Sequence, residues 1–567
     1  MSVNELNQLA NDIRVFLINQ IANTGGHIGA NLGVIETTLA LHSEFNSPKE
    51  PLVFDTGHVG YTHKLITGRI DLFESLNTYG GMNRFITPEE SEHDIIEASH
   101  AGTAISVSLG LAKARLIKGN DAPVVAIVGD SAMVEGSSLE ALNHAAVEKT
   151  NLILVVNDNG FAISPGFGAI HEASMSKGDR LKNIYEGLGL NYIGPIDGHD
   201  VKSIKEALKL ARKSARMPLV HLKTQKGYGW SPANTHPYKM HFLPPYDPKT
   251  GKIKNNEKVP ETYPDVIGSF MLKVMKRDER IVCLTPSTLY ATGLSEVFDK
   301  FPNRCIDPGM QEQHALSMTV GLAKEGLKPV IAYQSTFLQR AYDQLLHDVC
   351  FSNSSVVILS VRSGFSGYDN PTHHGIFDIS YMRSLPNLKI FYPKDRNELK
   401  DMMEQLIPSN DGPCLVMCPY GETKSFGESK HFILTEPELF LEGSKTLIIA
   451  VGNKFQEALY AAKTLNAGLI NLRCLQPMPE KSLLSLISKY ERIVTVEEAI
   501  LDGGIGSAIA SIIADNNVRK PLLRLGLPRK FIEPGSNDEL CEIYGLSGNK
   551  ILKVIKKFED GIKSPLQ

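Results

Sequence analysis

VVAIVGDSAMVEGSSLEALNHAAVEKTNLILVVNDN, residues 124–159, decides the fold. VVAIVGD and NLILVVND are short, nearly unbroken apolar runs rich in β-branched residues, the pattern of strands covered on both faces. Between them, GSSLEALNHAAVEK spaces its apolar residues as a helix does. Strand, helix and strand in succession make the repeating unit of a parallel α/β sheet. Both strands end in oxygen-bearing residues, Gly129-Asp130 in one and Asn157-Asp158-Asn159 in the other. Ligands of open α/β sheets gather beyond the carboxyl ends of the strands, and the helix returns the chain to that edge, so the two clusters can meet. A carboxylate, an amide oxygen and main-chain carbonyls form a hard oxygen shell. It suits Mg²⁺, which also takes oxygens from phosphates. Gly129 lets a ligand come close to the backbone. An acidic loop closed by an Asx turn explains Gly-Asp alone as well, but not the second cluster one helix later.

The same alternation runs outward from this unit. PLVHLKT, KPVIAY, SSVVILSV, LKIFYP, TLIIAVG and RIVTVEE read as further covered strands, and VKSIKEALKLARKSA as an amphipathic helix. A chain of 567 residues exceeds one core. Two polar stretches suggest boundaries, giving three α/β domains with mostly parallel sheets: residues 1–245, a linker at 246–262, then 263–422 and 430–567. The net charge of −4 and the lack of a basic run argue against nucleic acid or an anionic membrane as partner. Seven scattered cysteines without C-x-x-C read as reduced, mostly buried thiols. The N-terminal stretch is amphipathic and charged, unlike a signal peptide, and no apolar run approaches the ~20 residues of a membrane span. A cytoplasmic location is expected. DGGIGSAIASII, from Asp502, superficially matches a dinucleotide fingerprint; we read it as a strand–helix turn, since a lone Gly cluster is weak evidence.

Gly-Asp, a helix and Asn-Asp-Asn together resemble the thiamine diphosphate motif of the transketolase superfamily. RCIDPGMQEQHALSMTVGLA (304–323) resembles, more narrowly, the D-x-G-x-x-E-Q-H-A motif of the 1-deoxyxylulose-5-phosphate synthase family. STFLQRAYDQLLHDV, PTHHGIFDISYMRSLPN, GGHIGANLGVIETTLALH, DTGHVGYTHKLITGR, NYIGPIDGHDV and LGLPRKFIEPG also resemble segments of that family, so the likeness covers nearly the whole chain. It implies a transketolase-like fold, with the diphosphate and Mg²⁺ on the first domain and the aminopyrimidine on the second. Implied metal ligands are Asp130, Asn159 and the carbonyl of Phe161, with Gly129 and Ser131 beside them and Lys226 near the diphosphate. Glu312 is the implied acid at the aminopyrimidine, which promotes loss of the thiazolium proton. His27, His58, His100, His241 and His373 match positions facing cofactor or substrate; imidazoles suit proton transfer near neutral pH. Phe337 and Ile376 match apolar lining, Ile376 reading equally well as plain core. Arg340, Arg362 and Asp369 match positions that handle substrates; the planar fork of Arg binds carboxylate or phosphate in two places.

The implied reaction condenses pyruvate with D-glyceraldehyde 3-phosphate to 1-deoxy-D-xylulose 5-phosphate and CO₂, a precursor for isoprenoids, thiamine and pyridoxal, in a homodimer. Several positions depart from the family. The segment between Ser164 and Asn191 is short. Tyr420, in CPYG, stands where the family's Y-P-R-G turn has its phosphate-gripping Arg. Gln334 replaces a tyrosine, with Tyr333 adjacent. HAGT replaces HSST at His100, Ala30 lacks a hydroxyl, and Ser131 replaces the glycine of GDG. These changes leave the metal and activation groups intact and alter the acceptor groups. Alternatives are therefore a paralogue with another aldehyde or ketol donor, a non-catalytic binding paralogue, and a Rossmann dehydrogenase.

Overall fold

The computed structural model describes residues 1–254, 260–408, 411–427 and 432–561. Of the expected linker, 255–259 lie outside the described residues, as do 430–431 and 562–567 of the expected last domain. The chain forms two compact units, Met1–Lys258 with Pro308–Gln311, and Val259–Asp307 with Glu312–Gln567.

The first unit opens with a helix, Val3–Thr24, started by a Ser2/Glu5 capping box and burying Leu6, Ala10, Ile13, Leu17 and Ile21 on one face. Its sheet holds β1 (Leu52–Phe54), β2 (Val124–Gly129), β3 (Leu152–Asp158), β4 (Asn191–Asp197) and β5 (Pro218–Lys223). They are ordered β1-β2-β3-β5-β4 and all pair in parallel. VVAIV and LILVV are buried throughout, as runs covered by helices on both faces must be. The helix between them spans Gly136–Ala145. Residues 246–254, expected to begin a linker, pack on this unit. Tyr246 is wholly buried and donates its hydroxyl to the Ile18 carbonyl at 2.9 Å, and the Trp230 indole donates to the Pro248 carbonyl at 3.0 Å.

The second unit holds two sheets. One contains β6 (Ile281–Leu284), β7 (Cys305–Ile306), β8 (Lys328–Gln334), β9 (Val357–Ser363), β10 (Lys389–Phe391) and β11 (Cys414–Pro419). The other contains β12 (Glu438–Leu441), β13 (Thr446–Ala450), β14 (Gly468–Asn471), β16 (Arg492–Ile500) and β17 (Leu522–Leu527), ordered β12-β14-β13-β16-β17. β15 (Cys474–Gln476) leaves this second group and adds antiparallel to β10, so the first sheet runs β15-β10-β11-β9-β8-β6-β7. Apart from that pair and β12-β14, the strands are parallel. All seven cysteines are free and six are buried. Among the described residues no helix is long and apolar enough to cross a membrane.

Candidate active site

In the first unit, β2 and β3 are adjacent and parallel, with Gly129 opposite Asn157. The Asp130 N–H donates to the Asn157 carbonyl at 3.0 Å, and the Asn159 N–H approaches Asp130 Oδ1 at 3.4 Å. Asn159 Oδ1 accepts from the Phe161 N–H at 3.0 Å, an Asx-type turn just past β3. Asp130 still touches solvent but is enclosed by protein. Burial, helped by the charge of Asp158, pushes its carboxyl up to about 7. Such a carboxylate gains from a cation. Asp158 faces the other way from its neighbour Asn157, as alternation along a strand requires, and so shares the face that Asp130 continues. Its Oδ2 accepts from His221 Nε2 at 2.7 Å, Lys223 Nζ at 2.9 Å and the Ser174 hydroxyl. Burial works to raise it, but these hydrogen bonds outweigh burial and hold it below the usual carboxylate range. Asp158 is thus a structural anchor.

The residues fit a metal-bound diphosphate. A Cβ placed on Gly129 would meet nothing within 4 Å, so the space is open to a ligand. Gly129 needs no positive φ, and Ser131 sits at φ −72°, ψ −31°, ordinary helical angles, so serine replaces glycine there without strain. Ser131 Oγ is buried with no hydrogen-bond partner among the described residues, a spare donor at the strand end. Lys226 Nζ donates to the Ala162 carbonyl at 2.6 Å and lies 5.8 Å from the Phe161 ring centroid. Burial lowers its ammonium to about 7, against the pull of Asp130. Among the described residues no three His, Cys, Asp or Glu converge on a metal position. One carboxylate, one amide oxygen and one carbonyl are instead a set that phosphate oxygens complete.

Three of the expected histidines share one wall of this unit. The rings of His27 and His58 are 5.0 Å apart, His27 and His241 5.3 Å, and His58 and His241 5.1 Å, with Phe85 and Phe242 edge-on to His27. Burial, then Lys226 and the two other imidazoles, keep His241 well below its ordinary range and hence neutral. The segment carrying His241 is forced close to that carrying His27: a Cβ on Gly29 would lie 1.9 Å from the Lys239 carbonyl oxygen. Lys239 and Met240 both take left-handed angles, φ 50°, to present His241. His100 lies in a loop fixed by Asp55, whose carboxylate accepts from the Gly102 N–H at 2.9 Å and the Ala104 N–H at 3.0 Å. Ala104 starts a helix, so its dipole also favours that charge. Asp55 thereby ties the His58 loop to the His100 loop.

In the second unit Glu312 follows β7, and the other expected polar residues sit at or just beyond the carboxyl ends of three neighbouring strands, β11, β9 and β8. Glu312 begins the helix Glu312–Lys324 and is buried. The Tyr333 hydroxyl, deep in β8, donates to the Glu312 carbonyl at 2.8 Å. Tyr333 is therefore no stand-in for the family tyrosine at 334, since neighbours on a strand face opposite ways. Gln334 ends β8 and is buried; Phe337 follows and meets the His373 ring edge-on at 5.6 Å. Arg340 is half-buried in the next 3₁₀ turn. Arg362 Nη1 donates to Asp369 Oδ2 at 2.8 Å, and its guanidinium lies 5.0 Å from the Tyr420 ring centroid. Asp369 and His373 ride on a loop whose neck is closed by reciprocal Gly364–Gly375 hydrogen bonds of 3.1 and 2.8 Å. Buried Glu498 of β16 accepts from the Phe365 N–H at 2.7 Å and anchors that neck. Ile376 is wholly buried in the core.

The last glycine cluster is a turn. Glu497 accepts from the Ile505 and Gly506 N–H groups, both at 2.7 Å, so the chain's own carboxylate fills that helix start. The dinucleotide reading has no room there.

The family model described as 1-deoxy-D-xylulose-5-phosphate synthase matches residues 1–180 and 173–224. Models of the transketolase pyrimidine-binding and C-terminal domains match 261–424 and 438–551. A 1-deoxy-D-xylulose-5-phosphate synthase of Halothermothrix orenii is 38% identical over 609 aligned positions, covering 99% of this chain and 95% of that one. The chain belongs to the 1-deoxy-D-xylulose-5-phosphate synthase family. The protein of that name from Geobacillus thermodenitrificans is also 38% identical, with coverage of 98% and 96%. A solved transketolase from Campylobacter jejuni, 19% identical, aligns with 98% of this chain and 100% of its own at a TM-score of 0.46. Membership makes the chain an enzyme of the transketolase-like class that uses thiamine diphosphate. The synthase relatives share one name, which does not favour the alternative of another acceptor. An alignment of 609 positions is longer than this whole chain, so this relative carries residues that the chain lacks. The N-terminal match is in two stretches, which overlap at 173–180 within the segment expected to be short. There the helices Ala169–Met175 and Arg180–Gly187 are joined by four residues, 176–179.

Sequence reasoning passed over Asn31, Asp55 and Glu498. The available signal was a polar residue inside an apolar run, as in Glu497-Glu498 within RIVTVEEAI.

Proposed function

We propose that this enzyme condenses pyruvate with D-glyceraldehyde 3-phosphate, releasing CO₂ and forming 1-deoxy-D-xylulose 5-phosphate, with thiamine diphosphate and Mg²⁺. The observation that carries the reading is Glu312, buried at a helix start within the full-length family match. Bound thiamine diphosphate supplies a carbon nucleophile and an electron sink for decarboxylation. The first unit supplies the metal half: Asp130, Asn159 and the Phe161 carbonyl as ligands, Gly129 and Ser131 beside the diphosphate, His100 and Lys226 along it. His27, His58 and His241 move protons on the substrate side. The second unit supplies Glu312 as the acid at the aminopyrimidine and Phe337 as apolar lining. His373, Asp369, Arg340, Arg362, Gln334 and Tyr420 hold and orient the substrates. In the same reading residues 1–245 are the diphosphate domain, 246–262 the linker, 263–422 the pyrimidine domain and 430–567 a C-terminal domain, in a cytoplasmic homodimer.

Glu312→Gln tests the reading. It keeps the shape and removes the acid, so CO₂ release from pyruvate plus glyceraldehyde 3-phosphate falls by roughly 10²–10⁴-fold while Mg²⁺-dependent cofactor binding persists. Full activity in this variant would sink the assignment.

A further inference from the structure

Asn31 lies four residues after His27 and is wholly buried. Its side-chain amide uses both protons on the two histidine segments: Nδ2 donates to the His27 carbonyl and to the His58 carbonyl, each at 2.7 Å. Its Oδ1 accepts from the Tyr61 N–H at 2.8 Å. The orientation is fixed by chemistry. Turned over, the amide oxygen would face two carbonyl oxygens and the NH₂ would face an N–H. Tyr61 closes the loop, its hydroxyl accepting from the His27 N–H at 3.3 Å. One amide thus spans two segments separated by 27 residues in sequence, and their imidazoles come to 5.0 Å.

We propose that Asn31 is a positioning residue that sets the separation of His27 and His58. The inference rests on the reading of those histidines as proton-transfer groups. Only an amide places two donors and one acceptor in one plane at this reach. Aspartate keeps the shape and the acceptor for Tyr61 but turns two attractive contacts into oxygen–oxygen repulsion, which drives the histidine segments apart. Misplacement of a reacting group by about 1 Å costs on the order of 100-fold in rate.

The experiment compares Asn31→Asp, Asn31→Ser and His27→Ala in the full chain with Mg²⁺ and thiamine diphosphate. It reads kcat, cofactor affinity by isothermal titration, and the thermal midpoint. The strut predicts that Asn31→Asp loses kcat on the order of 100-fold, with cofactor affinity little changed and with Asn31→Ser less impaired. If kcat, affinity and midpoint fall together, or neither Asn31 variant folds, Asn31 is only a core residue and the proposal is overturned. Wild-type kcat in Asn31→Asp with an impaired His27→Ala overturns the strut alone. Full activity in His27→Ala overturns the histidine reading beneath it.

Discussion

Arg362 stands on a left-handed backbone, φ 64°, a conformation that costs a non-glycine residue about 1–3 kcal/mol. The surroundings hold it there: Asp369 pairs with the guanidinium and the Tyr420 ring lies beneath it. A cation–π contact of this kind contributes about 0.5–1 kcal/mol at a partly exposed site. Tyr420 is itself well exposed, so a charge introduced there meets solvent and substrate. Tyr420→Arg adds a forked cation where the phosphate of the acceptor is expected. Charge-assisted hydrogen bonds bring about 1.5–3 kcal/mol, so KM for glyceraldehyde 3-phosphate should fall by roughly one to two powers of ten. Unphosphorylated glyceraldehyde should show no such gain. Steady-state kinetics with both aldehydes check this, and an unchanged KM ratio would remove phosphate recognition from this corner.

At the scale of elements, the short helix Asp378–Met382 carries a pH effect. Asp378 is buried, and its carboxyl receives the Ser335 hydroxyl and, at 3.3 Å, the Tyr381 hydroxyl. Burial raises it from 3.8 to about 6, more than these hydrogen bonds lower it. The folded state therefore holds a proton that the unfolded chain has released. Its stabilising contribution is full below about pH 4 and is lost as pH rises through 6. Asp378→Asn removes that loss. The wild type should lose up to about 3 kcal/mol relative to the variant between pH 4 and 7, visible as diverging thermal midpoints. Parallel midpoints would show that Asp378 is ionised throughout.

Elements also divide what the sequence reveals from what it hides. The eight strands read from apolar runs all form, because continuous β-branched stretches identify themselves. β7, β12 and β15 are too short or too mixed to stand out, and β15 pairs with β10 across 83 residues of chain, a partnership no local pattern carries. Asp130, Asn159, Glu312 and the histidines were legible as residues of a family motif. Asn31, Asp55 and Glu498 show in the sequence only as polar residues inside apolar runs, since side chains that bind backbone leave no periodicity. Their roles appear only when distant loops are brought to hydrogen-bonding distance.

For the whole molecule, the proposed function gives the chain the groups that hold and activate the cofactor, with a shortened connection expected between Ser164 and Asn191. Asp158 holds this connection, since Ser174 of the helix Ala169–Met175 and Lys223 of β5 meet on its carboxylate. Removing residues from a connection costs little when its ends already lie close. The family's chemistry is therefore expected from a shorter chain. The most direct measurement incubates the purified protein with pyruvate, D-glyceraldehyde 3-phosphate, thiamine diphosphate and Mg²⁺, and identifies the product by mass spectrometry and NMR. The expected product is 1-deoxy-D-xylulose 5-phosphate with one CO₂ per product, formed roughly 10²–10⁴-fold more slowly by Glu312→Gln; no CO₂ from pyruvate with any aldehyde would contradict this.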